Sequence, residues 1–313
     1  MNYAQAVELL SFSIIIVNWN TRELLARCLA SIYQHPPRVP FEVIVVDNAS
    51  SDGSAAMVRE RFPQVRLIEN QENVGFAKGN NQAIAASQGK YILLLNSDTV
   101  VLPQALNRLI DFIETHPRAG MAGPRLLNPD GSLQPSCTPF PTLAREAWRL
   151  FHGYRIKPLA EYPMATWDEI TPREVDVLMG ACLLVRREVI DQIGLLDEAF
   201  FMYSEEVDWC LRTKRAGWLV WWVPQASVVH YGGQSSRQAS EKMFLQLYRS
   251  KVLFFRKHYG PARTLAYKGL LALASLPRLA LGALASVEQP PRNGQHRQMA
   301  ANYRRLLVNV WAW

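Results

Sequence analysis

The chain has 313 residues, 49% hydrophobic and 19% charged, enough to bury one large core or two smaller ones and too apolar for bulk disorder. Its 34 Lys and Arg against 27 Asp and Glu give a net charge of +7, which favours anionic partners: phosphorylated small molecules, nucleic acid or anionic lipid. The four cysteines, Cys28, Cys137, Cys182 and Cys210, lie far apart without a CxxC pair, which argues against a zinc knuckle or a disulfide framework and predicts reduced, buried thiols of a cytosolic protein.

At the N-terminus, MNYAQAVELLSFSIIIV has no cationic region before its apolar part and no small-residue cleavage signal, so no secretion is expected. Ser13 to Val17 reads as a buried strand. Asn20, with Glu23 three residues on, reads as the capping box of a helix whose inward face is Leu24, Leu25, Cys28, Leu29 and Ile32. Pro36 and Pro37 end it. Glu42 to Val46 is a second strand, a helix runs through Arg61, Val65 to Ile68 is a short strand, and a helix spans about Phe76 to Ser87. Tyr91 to Leu95 is an apolar run with no polar face, the pattern of a strand covered on both sides. The alternation predicts an α/β, doubly wound, mostly parallel sheet of Rossmann-like type with right-handed crossovers.

Such sheets bind ligands at the carboxyl ends of their strands. Strand one ends at Asn18, Trp19 and Asn20, strand two at Asp47 and Asn48, and the third at Asn96, Ser97 and Asp98. Topology puts all three clusters on one sheet edge. A carboxylate there, Asp98, is placed to hold a hard divalent cation that in turn holds phosphate oxygens, although an Asp also serves simply to open a turn. Trp19 can stack on a planar base or pack in the interior. Asp47 can accept from the imide N–H of uracil or thymine, or cap the next helix. Gly75, Gly79, Asn80 and Asn81 make an amide-rich approach to the same edge, with residues that also make ordinary turns.

VNWN from Val17, VVDNASSDGS from Val45, the segment Glu69 to Ala83 containing ENVGFAKGNNQA, and LLLNSDT from Leu93 together resemble the family 2 inverting glycosyltransferases of GT-A fold, and within them the rhamnosyltransferase-like branch that builds bacterial surface polysaccharides. The resemblance covers about Phe12 to Arg256. It implies a nucleotide-diphosphate sugar donor, with a thymidine or uridine diphosphate and rhamnose first among the sugars. Trp19 and Asp47 would lie near the base, and Asp98 would stand where the family's DxD motif has its last acid. Asn96 stands in place of the first acid of that motif, which makes it a ribose contact or a support behind the metal, Mg or Mn.

Beyond Val100, Pro103 opens a helix with Leu106, Leu109, Ile110 and Ile113 inward, ending near Pro117. Gly120 to Gly123 opens a strand, and Asn128 to Gly131 is a turn. Ser136 to Arg173 has no clear period and is expected to be a long loop where acceptor specificity varies. Val177 begins a strand in which Gly180 and Ala181 permit close approach, followed by a helix stopping at Gly194. Glu205, Glu206 and Asp208 then open another helix. Acids in a first helical turn are favoured by its dipole, whereas displacement at an anomeric carbon needs a carboxylate as general base. The family carries an acidic pair here whose second member is the base, which maps to Glu206; the usual second residue is Asp, so Glu205 stays open and Asp208 is structural or an acceptor ligand. Trp218 to Val223 and Ala226 to Val229 read as two short strands around Pro224. His230, Tyr231, Gly232 and Gly233 resemble the family's HxGG segment, whose His completes a metal shell; a lone His after a strand otherwise serves as a turn or core residue.

The tail differs in kind. Phe244 to Tyr259 is a helix with aromatic and basic residues, and Leu265 to Val287 is apolar but interrupted by Lys268, Pro277 and Arg278. A charge near the centre of a spanning helix costs about 2.5–3.5 kcal/mol, which argues against a transmembrane segment. Lys268, Ser275, Gly282 and Ser286 fall on one helical face. The expectation is an interfacial helix with Arg278, Arg292, Arg297, Arg304 and Arg305 near anionic headgroups, the alternative being a helix packed on the catalytic domain. The expected organisation is therefore residues 12–124 for the nucleotide sugar, 125–243 for acceptor and catalysis, and 244–313 as a helical tail, on a cytoplasmic enzyme peripheral to the inner face of the cell membrane. Its partners would be a sugar-nucleotide donor and a glycan or polyprenyl-linked acceptor, not nucleic acid. A nucleotidyltransferase would need a glycine-rich basic signature after the first strand, which Asn18 to Arg22 lacks. A non-catalytic sugar-nucleotide binder is the other alternative, suggested by Asn96 and the Glu–Glu pair.

Overall fold

Hydrophobic strands without a polar face, separated by helices with one apolar stripe, can be covered only by stacking helices on both sides of a sheet. A computed structural model, which describes residues 11–153, 157, 159–234, 238–284 and 292–313, has that arrangement in its first part. Strand β1 (Phe12–Asn18) is followed by α1 (Arg22–Gln34), β2 (Phe41–Asp47), α2 (Ser54–Arg61), β3 (Arg66–Glu69), α3 (Phe76–Ala86), β4 (Tyr91–Leu95) and β5 (Thr99–Val101). Then come α4 (Ala105–Thr115), β6 (Ala119–Leu127), β7 (Cys137–Thr138), α5 (Leu143–Leu150), a 3-10 turn at Met164–Thr166, β8 (Arg173–Glu174), β9 (Val177–Leu178), β10 (Cys182–Arg186), α6 (Arg187–Ile193), α7 (Glu205–Arg215) and β11 (Leu219–His230). The main sheet runs β3-β2-β1-β4-β10-β6-β11-β5, with β8 beside β11. β3, β2, β1 and β4 are parallel, and β6 is parallel to β11, but β10 enters antiparallel between β4 and β6. The expected mostly parallel sheet is present, and β10 departs from it, because the residues after Gly180 return along β4 without a crossover helix. All four cysteines are buried thiols, and burial pushes Cys28 and Cys210 up to about 12.

Several local expectations are corrected. Asn20 does not cap α1: it sits at φ 51°, its Oδ1 accepts from the amide of Ser51 at 2.7 Å, and Thr21 is the N-cap residue, its hydroxyl making no bond to the helix amides. The α1 N-terminus is satisfied from elsewhere, since the amide of Arg22 donates to Asp52 Oδ2 at 2.8 Å and Asp52 Oδ1 accepts from the amide of Ser54 at 3.0 Å. One carboxylate serves the first turns of two helices, a role that sequence spacing hides because the cap is 30 residues away. The two strands expected around Pro224 are one strand, β11, whose register shifts between Val223 and Ser227 to accommodate the proline. The expected loop from Ser136 to Arg173 carries β7, α5 and β8.

The strand ends are tied by side chains. Thr21 Oγ1 donates to Asn18 Oδ1 at 2.6 Å, so the 2.8 Å contact between Thr21 and Ser97 hydroxyls is donated by Ser97. Asn18 Nδ2 passes on to Asp47 Oδ1 at 2.9 Å and to Ser50 Oγ at 3.1 Å. Asn18, Thr21, Asp47 and Ser97 are all buried, so the links among these four are made away from water. β1, β2 and the turn after β4 are locked in one arrangement.

The chain forms two compact units, one of Met1–Thr138, Pro163–Ala199 and Glu206–Ser235, the other of Pro139–Tyr162, Phe200–Glu205 and Ser236–Trp313. The second is helical: α5, α8 (Ser240–Leu284, broken at Gly260, φ 80°) and α9 (Arg292–Asn309). Its polar hub is Glu146 of α5, which is fully buried, takes Lys251 Nζ at 2.8 Å, Arg149 Nη1 at 3.0 Å and the hydroxyl of Tyr267 at 3.3 Å. Burial alone would raise the Glu146 carboxyl, but the charges and hydrogen bonds of Lys251 and then Arg149 outweigh it and hold it below the ordinary 4.5.

Two outcomes follow. Thr21→Val leaves Asn18 Oδ1 and Ser97 Oγ without that hydroxyl inside the protein and should lower unfolding free energy by about 2 kcal/mol in urea titration. Glu146→Ala should cost about 3 kcal/mol at neutral pH, because it leaves the half-buried Lys251 and Arg149 without their shared carboxylate. Since the folded carboxyl lies below its unfolded value, its contribution is present above pH 4.5 and fades as pH falls through the folded value, so the gap between wild type and variant should close in acid.

Candidate active site

Asp98 lies in the turn between β4 and β5, and β5 pairs antiparallel with the end of β11 so that His230 stands opposite Thr99. The amide of Tyr231 donates to the carbonyl of Asp98 at 2.9 Å, closing this register. Two residues 132 positions apart in sequence therefore meet: His230 Nε2 is 3.3 Å from Asp98 Oδ1, with both side chains nearly buried. Asn96 Nδ2 is 3.4 Å from the same ring nitrogen. The residue replacing the first acid of a DxD motif thus sits against the histidine.

Gln134, which sequence reasoning passed over, fixes that ring. Its Nε2 donates to the carbonyl of His230 at 3.2 Å and to Asn128 Oδ1 at 3.0 Å, so its Oε1, 2.7 Å from His230 Nδ1, is an acceptor and Nδ1 carries the proton. A neutral His230 then presents the Nε2 lone pair to the Asp98 carboxylate. Two electron-rich atoms facing one another at 3.3 Å suit a cation between or beside them. The signal for Gln134 was faint: it follows a turn of Asn, Pro, Asp and Gly, and nothing in its spacing points to residue 230.

The carboxylates of α7 separate. Asp208, fully buried, is held by Arg212 Nε at 2.8 Å, a tie within the helix that gives it a structural task. Glu205 is 4% exposed and belongs to the unit containing the 200–205 segment. In that segment the carbonyl of Met202 accepts from Ser250 Oγ at 2.8 Å, and Tyr203 and Ser204 both adopt φ 69°, conformations that cost non-glycine residues energy and recur at functional turns. Glu206 lies in the sheet unit. A Cβ placed on Gly180 would stand 3.7 Å from Glu206 Cβ and 3.7 Å from the Phe76 ring. The neighbouring carbonyl of Ala181 accepts from the amide of Asn96 at 2.9 Å, so Gly180 carries the backbone from the tip of β4 to Glu206.

The remaining predicted residues fall into two groups. Asp47 is 3% exposed and accepts from Asn18 and, at 2.9 Å through Oδ2, from the amide of Ser50; each oxygen keeps one lone pair. Trp19 is half-buried at the end of β1. Asn48 anchors the approach loop, donating to the carbonyl of Gly75 at 3.1 Å and accepting from Asn70 Nδ2 at 2.8 Å, while Gly75 takes φ 90°, which glycine adopts without strain. Val17 touches α3 where Gly79 leaves room, since a Cβ there would come within 3.1 Å of Val17 Cγ1. Ser97 belongs to the buried chain described above. Asn80 is not brought to the strand tips by any bond of its own: its Nδ2 donates to the carbonyl of Phe76 within α3 at 2.9 Å.

Asp98 and His230 fit a divalent ion as a carboxylate oxygen and an imidazole nitrogen, a pairing suited to Mn and tolerable for Mg. Among the described residues no group of three or more His, Cys, Asp or Glu could hold a metal unaided. Two protein ligands would leave such an ion with coordination positions open to other oxygen donors.

The model for glycosyl transferase family 2 matches residues 13–194. An N-acetylglucosaminyl-diphospho-decaprenol L-rhamnosyltransferase of Mycobacterium tuberculosis is 32% identical over 286 residues, which is 84% of this chain and 91% of that protein. Among solved structures, the mannosyltransferase PcManGT of Pyrobaculum calidifontis, in complex with GDP-Man and Mn2+, superposes with TM-score 0.56 at 18% identity, covering 96% of this chain and 86% of that one. GalNAc-T7 with UDP, GalNAc and Mn2+ superposes with TM-score 0.54 at 16% identity, covering 72% and 44%. These likenesses place the fold with the GT-A glycosyltransferases, and the sequence match does more: the chain belongs to glycosyl transferase family 2 and is a rhamnosyltransferase-like glycosyltransferase.

Proposed function

We propose that the protein transfers rhamnose, with inversion, from a thymidine diphosphate donor to a glycan carried on a polyprenyl lipid in bacterial surface polysaccharide synthesis. A uridine diphosphate sugar is the next donor in order. The observation that carries this reading is the meeting of Asp98 and His230 at the tip of β4, with Glu206 reached across the bare backbone of Gly180. Support for the lipid-linked acceptor comes from the mycobacterial relative, whose name specifies a decaprenol-linked substrate.

In this reading Asp98 and His230 hold Mg or Mn, which when bound supplies positive charge to the donor diphosphate. Asn96 and Gln134 orient His230. The half-buried Trp19 stacks on the base, and a remaining lone pair of Asp47 accepts its imide N–H. Asn48 and Gly75 shape the loop beside the nucleotide, Ser97 holds the turn that carries Asp98, and Val17 and Asn80 support the packing of α3 on β1. Glu206 takes the proton from the acceptor hydroxyl. That oxygen forms its bond to the anomeric carbon from the side opposite the diphosphate, the carbon–oxygen bond to the diphosphate breaks, and the bonding pair leaves with the nucleotide. Glu205, nearly buried and grouped with the other unit, holds the turn before α7, and Asp208 locks α7 through Arg212.

Glu206→Gln keeps the shape and removes the base. Turnover should fall by about 10²–10⁴-fold while donor binding, read by thermal shift with Mn2+, stays close to wild type. Glu205→Gln should retain most turnover, and equal losses in both variants would contradict the assignment. Gln134→Leu should weaken Mn2+ binding, measured by electron paramagnetic resonance with the nucleoside diphosphate present, by about tenfold or more. Gln134→Glu, which keeps an acceptor at Nδ1, should recover most of it.

A further inference from the structure

Helix α8 beyond its break at Gly260 buries a face that mixes apolar and polar side chains. That face carries Thr264, Tyr267, Leu271, Ala274, Ser275 and Arg278. Arg278 is 8% exposed, donates to the carbonyls of Ala274 and Leu150, and lies 4.9 Å from the Tyr303 ring centroid. Lys268 donates to the carbonyl of Trp313. Gly282 is turned to α9, where a Cβ would meet Ala300 Cβ at 2.2 Å. The polar face expected to meet headgroups is therefore the packed face, and Arg278 is a buried hub instead of a headgroup contact; Ser286 lies outside the described residues.

The opposite face is a continuous apolar stripe. Ala262, Leu265, Ala266, Gly269, Leu273, Leu276 and Ala280 follow one another at helical spacing, with Leu265, Leu273 and Leu276 at 61%, 57% and 56% exposure. The stripe runs roughly 30 Å without a charged or hydrogen-bonding side chain. Water is a poor environment for such a face, and an exposed apolar surface of this extent marks an interaction site.

We infer that this stripe, read together with the lipid-carried acceptor proposed above, rests in the interface of an anionic bilayer, with α8 lying along the membrane surface. Three observations select lipid over a protein partner. Protein interfaces concentrate aromatic, Met and Arg anchors, whereas this stripe is Ala, Gly and Leu alone. From Gly260 to Trp313 the sequence has seven Lys and Arg against the single Glu288, and Arg263, Arg297 and Arg304 are exposed, a charge excess complementary to anionic headgroups. Trp311, 54% exposed, gives the same unit an aromatic side chain of the kind that favours the headgroup level. No described helix is long and apolar enough to cross a membrane, in keeping with a helix that lies flat.

The test is flotation of the full chain with phosphatidylcholine vesicles with and without phosphatidylglycerol, in the absence of donor and acceptor. The wild type should float with the anionic vesicles and do so less at high salt. Leu273→Glu with Leu276→Glu should lower the bound fraction at limiting lipid by roughly tenfold or more without changing the thermal midpoint, because both side chains already face solvent. Ile170→Glu, at a still more exposed apolar position of the sheet unit, should float as the wild type does. A wild type that stays with the soluble fraction, a double variant that floats unchanged, or a wild-type dimer that the double variant splits would overturn the inference. Because no transfer is measured, failure here leaves the transferase reading standing, and loss of activity in Glu206→Gln leaves this one untouched.

Discussion

The site depends on a buried chain of hydrogen bonds that runs from the Ser97 hydroxyl through Thr21 and Asn18 to the Asp47 carboxylate. A parallel sheet brings strand ends to one edge but does not fix the turns beyond them. Here the donors and acceptors run in one direction only, because the Thr21 proton is committed to Asn18. The turn holding Asp98 is thereby referenced to β1 and β2, and the antiparallel pairing of β5 with β11 carries His230 to it. Left unmade, any of these links would strand a buried polar group, so the arrangement is all or nothing.

Around that frame the chemistry is divided among residues with separate tasks. Asp208 is paired with Arg212, Glu146 with Lys251 and Arg149, and Arg278 donates to the carbonyls of Ala274 and Leu150, so these buried charges have work inside the protein. Asp98 and His230 instead face each other, with the ring proton drawn away by Gln134. The chain passes from one compact unit to the other between Glu205 and Glu206, immediately after two residues in left-handed conformation. Adjacent glutamates of identical chemistry thus differ in the unit they belong to.

Much of this was legible in the sequence because it rests on short-range signals. Strands such as Tyr91 to Leu95 and helices such as Ala105 to Thr115 have periods that admit one interpretation, and polar residues stopping an apolar run mark the strand tips. What was not legible depends on partners distant in sequence. Asp52 capping α1, Gln134 orienting His230 and β10 entering antiparallel leave no local trace, since spacing along the chain says nothing about a bond spanning 30 to 96 residues. The orientation of the tail is hidden for a related reason: composition marks an amphipathic helix, but only the α5 carbonyl and the Tyr303 ring decide that Arg278 points inward.

The central proposal is that Asp98 and His230 would together hold a divalent ion beside the donor diphosphate. A crystal of the protein grown with thymidine diphosphate and Mn2+, measured at a wavelength where manganese scatters anomalously, tests it directly. The account predicts one strong anomalous peak within bonding distance of Asp98 Oδ1, His230 Nε2 and the diphosphate oxygens. Bound nucleotide with its manganese held elsewhere, or with neither of these side chains as a ligand, would contradict it.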